Sequence, residues 1–182
     1  MKKIVFSFGR MNPPTKGHEK LVKKVKSLAY NADHMIYLSH TQNSVRDPLG
    51  WDYKLTLCRK AFPETNFCED SGIKTPFQAL EYLTLAMDYK DITFVVGEDR
   101  LDEFTESMTP YATGWGLEKF QVVSAGTRNY KSRSITGMSG SRLRYYAYFD
   151  DEENFCKGMP SGLDMFTKKQ VFRDVKSLLK IT

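Results

Sequence analysis

The N-terminal succession of an apolar run, a tight loop and an amphipathic helix constrains the fold of this chain most. The run Ile4–Phe8 indicates a buried strand that stops at Gly9. Residues 10–16 contain two prolines and predict a loop. From Gly17 onward, apolar residues recur at helical spacing, with lysines on the opposite face. A second apolar run at 35–38 completes a strand–helix–strand unit, which predicts parallel strands joined by a right-handed crossover.

The same alternation continues along the chain. Thr75 and Pro76 have the residue types of an N-cap and a first helical position. The patterns predict helices over 51–62, 75–89, 139–148 and 164–179, and strands over 92–96 and 120–123. We therefore expect an α/β fold, a doubly wound, Rossmann-like parallel sheet in a single domain with C-terminal helices. Its α/β part would span residues 1–148, and a helical extension over 149–182 would pack on the same domain.

Composition narrows the class of partner but does not select one. The formal net charge of +5 suits a polyanion, whether nucleotide phosphates or nucleic acid. The three cysteines have no CxxC spacing, so neither a disulfide framework nor a zinc site is expected. The sequence has no apolar stretch of the length that a membrane helix needs, and the N-terminal apolar run is too short for a secretory signal. We expect a cytoplasmic protein without a membrane partner.

The loop after the first strand has the features of a phosphate site. Ligands of open parallel sheets bind beyond the carboxyl ends of the strands. Gly9 and Gly17 let the backbone approach a ligand, and the following helix offers unpaired N–H groups and a partial positive charge. His18 lies in the first helical turn. The loop has neither the GxxxxGK[ST] nor the GxGxxG pattern, so it is neither a Walker A loop nor a dinucleotide fingerprint.

This loop resembles the N-terminal signature of the nucleotidyltransferase superfamily, which usually has the form GxFxPxHxGH. Gly9, Pro13, Gly17 and His18 match that pattern. Thr15 takes the place of the first histidine, as in the phosphopantetheine adenylyltransferases. The superfamily also includes nicotinamide-mononucleotide and glycerol-phosphate nucleotidyltransferases.

A second segment, Met138–Arg144, is similar to the family's C-terminal ISSTxxR signature. Ser139, Ser141 and Arg144 match it, and Gly140 replaces the middle serine. From the residues alone, this segment is a capped helix start with Arg144 one turn after Ser141. Between the two signatures, Gly97 and Asp99 resemble the Gly-x-Asp that family members often carry, although Asp99 also suits a helix cap. Residues 157–160 and the last helix resemble the tails of phage-encoded members.

The resemblance implies transfer of AMP or CMP from a nucleoside triphosphate to a phosphate-bearing acceptor, with release of pyrophosphate. It assigns His18, Thr15 and Arg144 to catalysis, with His18 donating to the α- or β-phosphate and Arg144 holding pyrophosphate. The expected nucleotide-binding residues are Phe8, Gly9, Arg10, Met11, Asn12, Gly17, Gly97, Asp99, Ser139 and Ser141. Lys16, Arg46, Lys54 and Arg100 are further candidates for substrate or phosphate contacts. Mg²⁺ would be bound through the substrate phosphates, without dedicated protein ligands.

The substrate stays open between several alternatives. An ATP-dependent enzyme with a nicotinamide mononucleotide-like acceptor is the first expectation, and a CTP-dependent enzyme acting on a sugar or polyol phosphate is the second. A non-catalytic nucleotide- or nucleic-acid-binding module and a relative of class I aminoacyl-tRNA synthetases are further alternatives. We expect a nucleoside triphosphate and a small phosphorylated acceptor as partners, in preference to nucleic acid. The resemblance leaves a homo-oligomer open.

Overall fold

A computed structural model of the protein describes residues 1–127 and 137–180, which group into two compact units. The first unit contains Met1–Gly9, Leu21–Ser39 and residues 65–127. The second unit contains Arg10–Lys20, His40–Glu64 and residues 137–180. The predicted division of the chain at residue 148 stays a prediction.

The first unit contains a parallel sheet, which confirms the predicted fold class. Its strands are β1 (Lys3–Gly9), β2 (Asp33–Leu38), β3 (Asp91–Val96) and β4 (Lys119–Ser124). Within the described residues the strand order is β2-β1-β3-β4, and every neighbouring pair is parallel. The chain builds from β1 to one side and then returns to the other, so the switch point lies between β1 and β3. Open α/β sheets bind ligands outside the carboxyl ends of the strands at this point.

The core of this unit follows from the apolar strands. All six residues of β3 are buried, and Phe94 stacks on Phe6 of β1 with ring centroids 4.4 Å apart. Helix α4 (Leu101–Gly114) adds Met108 and Ala112 to the same cluster. This helix was not predicted, although its core-facing residues recur at helical spacing.

The predicted helix over 75–89 is correct in position but only partly in type. Thr75 caps it as expected, accepting a hydrogen bond from the Gln78 amide (3.1 Å). The α-helical part, α3, ends early (Pro76–Glu81), and Tyr82–Ala86 continue as a π-helical turn. There the Thr84 hydroxyl donates to the Leu80 carbonyl (2.7 Å), a bond of the kind that distorts helices.

The second unit is helical in its described part. Its helices are α2 (Trp51–Ala61), α5 (Gly140–Tyr148), α6 (Glu152–Gly158) and α7 (Met165–Leu178), and α1 (Lys16–Leu28) begins in it. Helices α2, α5 and α7 were predicted, whereas α6 was missed. A Cβ atom at Gly158 would lie 2.6 Å from Leu143, so α6 ends in close packing against α5. None of the helices in residues 1–127 and 137–180 has the length and apolar composition to cross a bilayer.

Candidate functional site

The imidazole of His18 is held in a defined orientation at the start of α1. The backbone N–H of Thr15 donates to His18 Nδ1 over 2.9 Å. A backbone N–H can only donate, so Nδ1 is the acceptor and the neutral ring carries its proton on Nε2. The ring of this half-buried side chain therefore has one N–H donor, which is at Nε2.

Thr15 is fully buried and links the first signature to the second. Its hydroxyl donates to the Met138 carbonyl (2.8 Å) and accepts from the His18 amide (3.3 Å). The second bond makes Thr15 the N-cap of α1. A hydroxyl has one hydrogen to donate, and the Met138 carbonyl (2.8 Å) lies nearer to it than His18 Nδ1 (3.0 Å). In this structure the Thr15 hydroxyl therefore joins the two signatures. It could donate to a phosphate oxygen only if its hydrogen bond to the Met138 carbonyl broke.

Glycines allow the two signatures to touch. A Cβ atom on Gly17 would lie 2.3 Å from the Met138 carbonyl oxygen, a distance that side chains do not adopt. A Cβ atom on Gly140 would lie 3.3 Å from the Asn12 carbonyl oxygen. The backbones of the loop and of the second signature are therefore in contact at two places.

Arg144 extends from α5 to the loop. Its Nη1 donates to the Asn12 carbonyl (2.7 Å) and its Nη2 to Ser141 Oγ (3.0 Å). Ser139 caps α5 by accepting from the Arg142 amide (3.2 Å), which confirms the predicted helix start. The guanidinium is thus fixed at the loop and is not a free surface charge.

A cluster of arginines surrounds one buried carboxylate. Burial lowers the pKa of Arg144, and the positive charges of Arg10 and Arg46 lower it further, while Asp47 opposes them. Asp47 is 2% exposed and lies 3.8 Å from the exposed Arg10 guanidinium. Three arginines near one carboxylate leave an excess of positive charge, which suits a polyphosphate.

Asn12, predicted to bind the nucleotide, and Lys54, a candidate for a substrate or phosphate contact, both have partners within the protein. Lys54 is fully buried, and its ammonium donates to the Arg10 carbonyl (2.7 Å). The Asn12 side chain exchanges two hydrogen bonds with the Leu49 backbone, each 2.9 Å long. The roles of Asp47 and Leu49 were missed, because their partners are distant in sequence and no local pattern indicates them.

The remaining predicted residues lie on both units. Phe8 and Gly9 end β1 in the first unit, where Gly97 follows β3. In the same unit, Arg100 pairs with Glu103 (2.7 Å) in the first turn of α4, and Asp99 is exposed. In the second unit, Met11 is buried in the loop, Lys16 is half-buried at the start of α1, and Arg46 and Ser141 are exposed.

Comparisons with known proteins establish the fold. No family model matches the chain, and no curated protein matches it. Among solved structures, the chain is similar to a candidate nicotinate-nucleotide adenylyltransferase from Vibrio parahaemolyticus, with 18% identity and a TM-score of 0.62 over 95% of this chain and 99% of that one. It is similar to the nicotinic acid mononucleotide adenylyltransferase of Plasmodium falciparum, with 12% identity and a TM-score of 0.61 over 95% and 98%. A bifunctional NMN adenylyltransferase/ADP ribose pyrophosphatase from Francisella tularensis matches with 15% identity and a TM-score of 0.62, over 97% of this chain and 53% of that one. The chain therefore has the Rossmann-like fold that these adenylyltransferases share.

Proposed function

We propose that this protein is a nucleotidyltransferase that transfers AMP from ATP to a nicotinamide mononucleotide-like acceptor and releases pyrophosphate. The observation that carries this proposal is the hydrogen-bonded link from His18 through Thr15 to Met138. This link fixes the tautomer of His18, so that the ring has an N–H donor at Nε2. His18 lies in the same unit as Arg10, Arg46 and Arg144. The solved structures named above support ATP as the donor and a pyridine mononucleotide as the acceptor.

Nucleotidyl transfer asks the protein for positioning and for stabilisation of charge. An oxygen of the acceptor phosphate attacks the α-phosphorus of ATP in line, and the bond from that phosphorus to the bridging oxygen of pyrophosphate breaks. His18 Nε2–H would donate to a phosphate oxygen whose negative charge grows in the transition state. Arg10, Arg46 and Arg144 would bind the leaving pyrophosphate, whose charge they match.

Mg²⁺ would enter the site bound to the triphosphate. The charged groups gathered here are mainly arginines, and the Asp47 carboxylate is already ion-paired with Arg10. Guanidinium groups bind phosphate oxygens, and their positive charge repels a metal cation that carries no phosphate. When bound, Mg²⁺ neutralises part of the triphosphate charge and keeps most of its water ligands.

The proposal is tested with each combination of a nucleoside triphosphate and a phosphorylated acceptor substrate. Purified protein with Mg²⁺ is given ATP or CTP and one of nicotinamide mononucleotide, nicotinate mononucleotide, phosphopantetheine or glycerol 3-phosphate, and pyrophosphate release is measured. We expect release with ATP and a pyridine mononucleotide. Release with CTP and glycerol 3-phosphate instead would overturn the proposed substrates but keep the reaction class.

Two histidine variants are compared, one at the candidate site and one outside it as the matched control. We expect His18→Ala to lower kcat by roughly 10²-fold, because it removes one preorganised donor to the transition state. His34→Ala removes a histidine of the first unit, whose Nε2 accepts from the Asn66 amide (3.1 Å), and should keep wild-type kcat. Equal kcat values for His18→Ala and wild type would contradict the proposal.

A further inference from the structure

Lys54 is a charged side chain in an unusual place. It lies on α2 with no exposed surface, and its ammonium donates to the Arg10 carbonyl over 2.7 Å. Burial lowers the pKa of Lys54 to about 8, against the opposing effects of Cys58 and Asp47. Desolvating an ammonium is costly, and a methionine would fill a similar volume without that cost. The distinctive contribution of the lysine is therefore the hydrogen bond that it donates.

That bond holds a turn with an unfavourable backbone conformation. Met11, the residue after the bonded carbonyl, has φ = 43°, in the left-handed region that a bulky side chain rarely adopts. Its side chain is 1% exposed and lies against Cys58 of α2, with the two sulfur atoms 3.7 Å apart. Such a conformation persists only where its surroundings enforce it.

The next residue of the turn is held from the same stretch of chain. Asn12 exchanges its two hydrogen bonds with Leu49, just before α2 begins. Its carbonyl accepts from Arg144 (2.7 Å). Residues 49–58 therefore hold the Arg10–Asn12 turn through Lys54, Leu49 and Cys58.

This turn leads directly into the Thr15–His18 segment. We propose that Lys54 is a positioning residue, which holds the Arg10–Asn12 turn so that the loop places His18 for nucleotidyl transfer. The claim that Lys54 helps to place His18 for the reaction rests on the proposed function. The claim that Lys54 holds the turn rests on the contacts alone. It also replaces the predicted role of Lys54 as a phosphate contact, because the buried ammonium is directed to the protein backbone.

The claim that Lys54 holds the Arg10–Asn12 turn is tested by hydrogen exchange, without any substrate. Lys54→Met keeps the volume and removes the donor. We expect the Thr15 amide to exchange at least about 10-fold faster than in wild type, because a charge-assisted hydrogen bond that holds the turn is gone. Amides of α5 and α7 should keep their wild-type rates. An unchanged Thr15 exchange rate would overturn the inference.

Lys60→Met is the matched control on the same helix. Lys60 is exposed and donates to Thr167 Oγ1 (2.7 Å), so its loss should leave the Thr15 exchange rate at the wild-type value. Equal acceleration in both variants would overturn the inference, because it would show general loosening of α2. If Lys54→Met does not fold, Lys54→Leu, which also lacks a donor, replaces it with the same expectation and the same overturning result.

Kinetics then separate positioning from direct binding. A positioning role predicts a fall in kcat of at least about 10-fold in Lys54→Met, with little change in the Kd for Mg·ATP measured by calorimetry. A direct phosphate contact predicts weaker Mg·ATP binding at nearly unchanged kcat, and that result would overturn the inference. An inactive wild-type protein would count against the proposed function only, since the exchange experiment would still decide the role of Lys54.

Discussion

Gly17 should be intolerant of even one added methyl group, because it lies at the contact between the two signatures. In Gly17→Ala the new Cβ would lie 2.3 Å from the Met138 carbonyl oxygen, whereas ordinary contacts begin at 3.4 Å. The two backbones would have to separate by about 1 Å, and a displacement of that size in an active site can lower the rate roughly 10²-fold. Helix propensity alone would favour alanine by about 1 kcal/mol, so any loss must come from the overlap.

The assay compares kcat/KM for pyrophosphate release with stability in denaturant. We expect Gly17→Ala to lose about 1–3 kcal/mol of unfolding free energy by overpacking, together with the loss of rate. Gly162→Ala is the control, since its Cβ would also lie 2.3 Å from a carbonyl oxygen, that of Ala61, outside both signatures. It should lose similar stability but keep its kcat/KM. Wild-type kcat/KM in Gly17→Ala would refute the reasoning.

Three further predictions concern the groups that hold the site together. Thr15→Val keeps the shape but leaves the Met138 carbonyl without its hydroxyl donor, so unfolding in denaturant should show a loss of about 1–3 kcal/mol; an unchanged unfolding free energy would contradict the bond. Arg144→Lys keeps the charge but not the fork that binds Asn12 and Ser141, so kcat/KM should fall by at least about 10-fold, and a rate equal to wild type would show that charge alone is enough. The pKa of Lys54 is lowered from 10.5 to about 8 by burial, so in this interval the unfolded chain binds more protons and stability rises with pH. Relative to Lys54→Met, the wild-type unfolding free energy should rise by about 1 kcal/mol from pH 7 to pH 9, and a constant difference would contradict the burial of the ammonium.

The sheet and the loop could be predicted because local patterns encode them. The apolar runs at 4–8 and 92–96 have the length and composition of buried parallel strands, and both were confirmed. Thr75 and Ser139 were predictable as helix caps, since a cap needs only a side-chain oxygen and an amide three residues on.

Helix α4 escaped prediction for a local reason. Pro110 lies inside it, and threonines at 105, 109 and 113 lower its helix propensity. Tertiary packing outweighs both effects, because Met108 and Ala112 are buried in the core of the first unit. Propensity is a weak guide where a helix is stabilised mainly by the surface that it covers.

The buried hydrogen bonds that hold the loop could not be predicted, for a different reason. Lysine is mostly exposed in proteins, and nothing near Lys54 in the sequence indicates that a carbonyl 44 residues away will accept its hydrogen bond. The same holds for Asn12 and Leu49, which are 37 residues apart. The motif selects candidate residues in the loop, whereas the contacts that hold the loop depend on the folded chain.

The most direct test of the account follows the α-phosphate itself. The protein is incubated with Mg²⁺, nicotinamide mononucleotide and ATP radiolabelled at the α-phosphate, and the products are separated by chromatography. The account predicts that the label moves into a dinucleotide in equal amount to the pyrophosphate released, and that His18→Ala nearly abolishes this transfer. Label found only in ATP, AMP or ADP, with no dinucleotide from this acceptor or from nicotinate mononucleotide, would contradict the proposed adenylyl transfer.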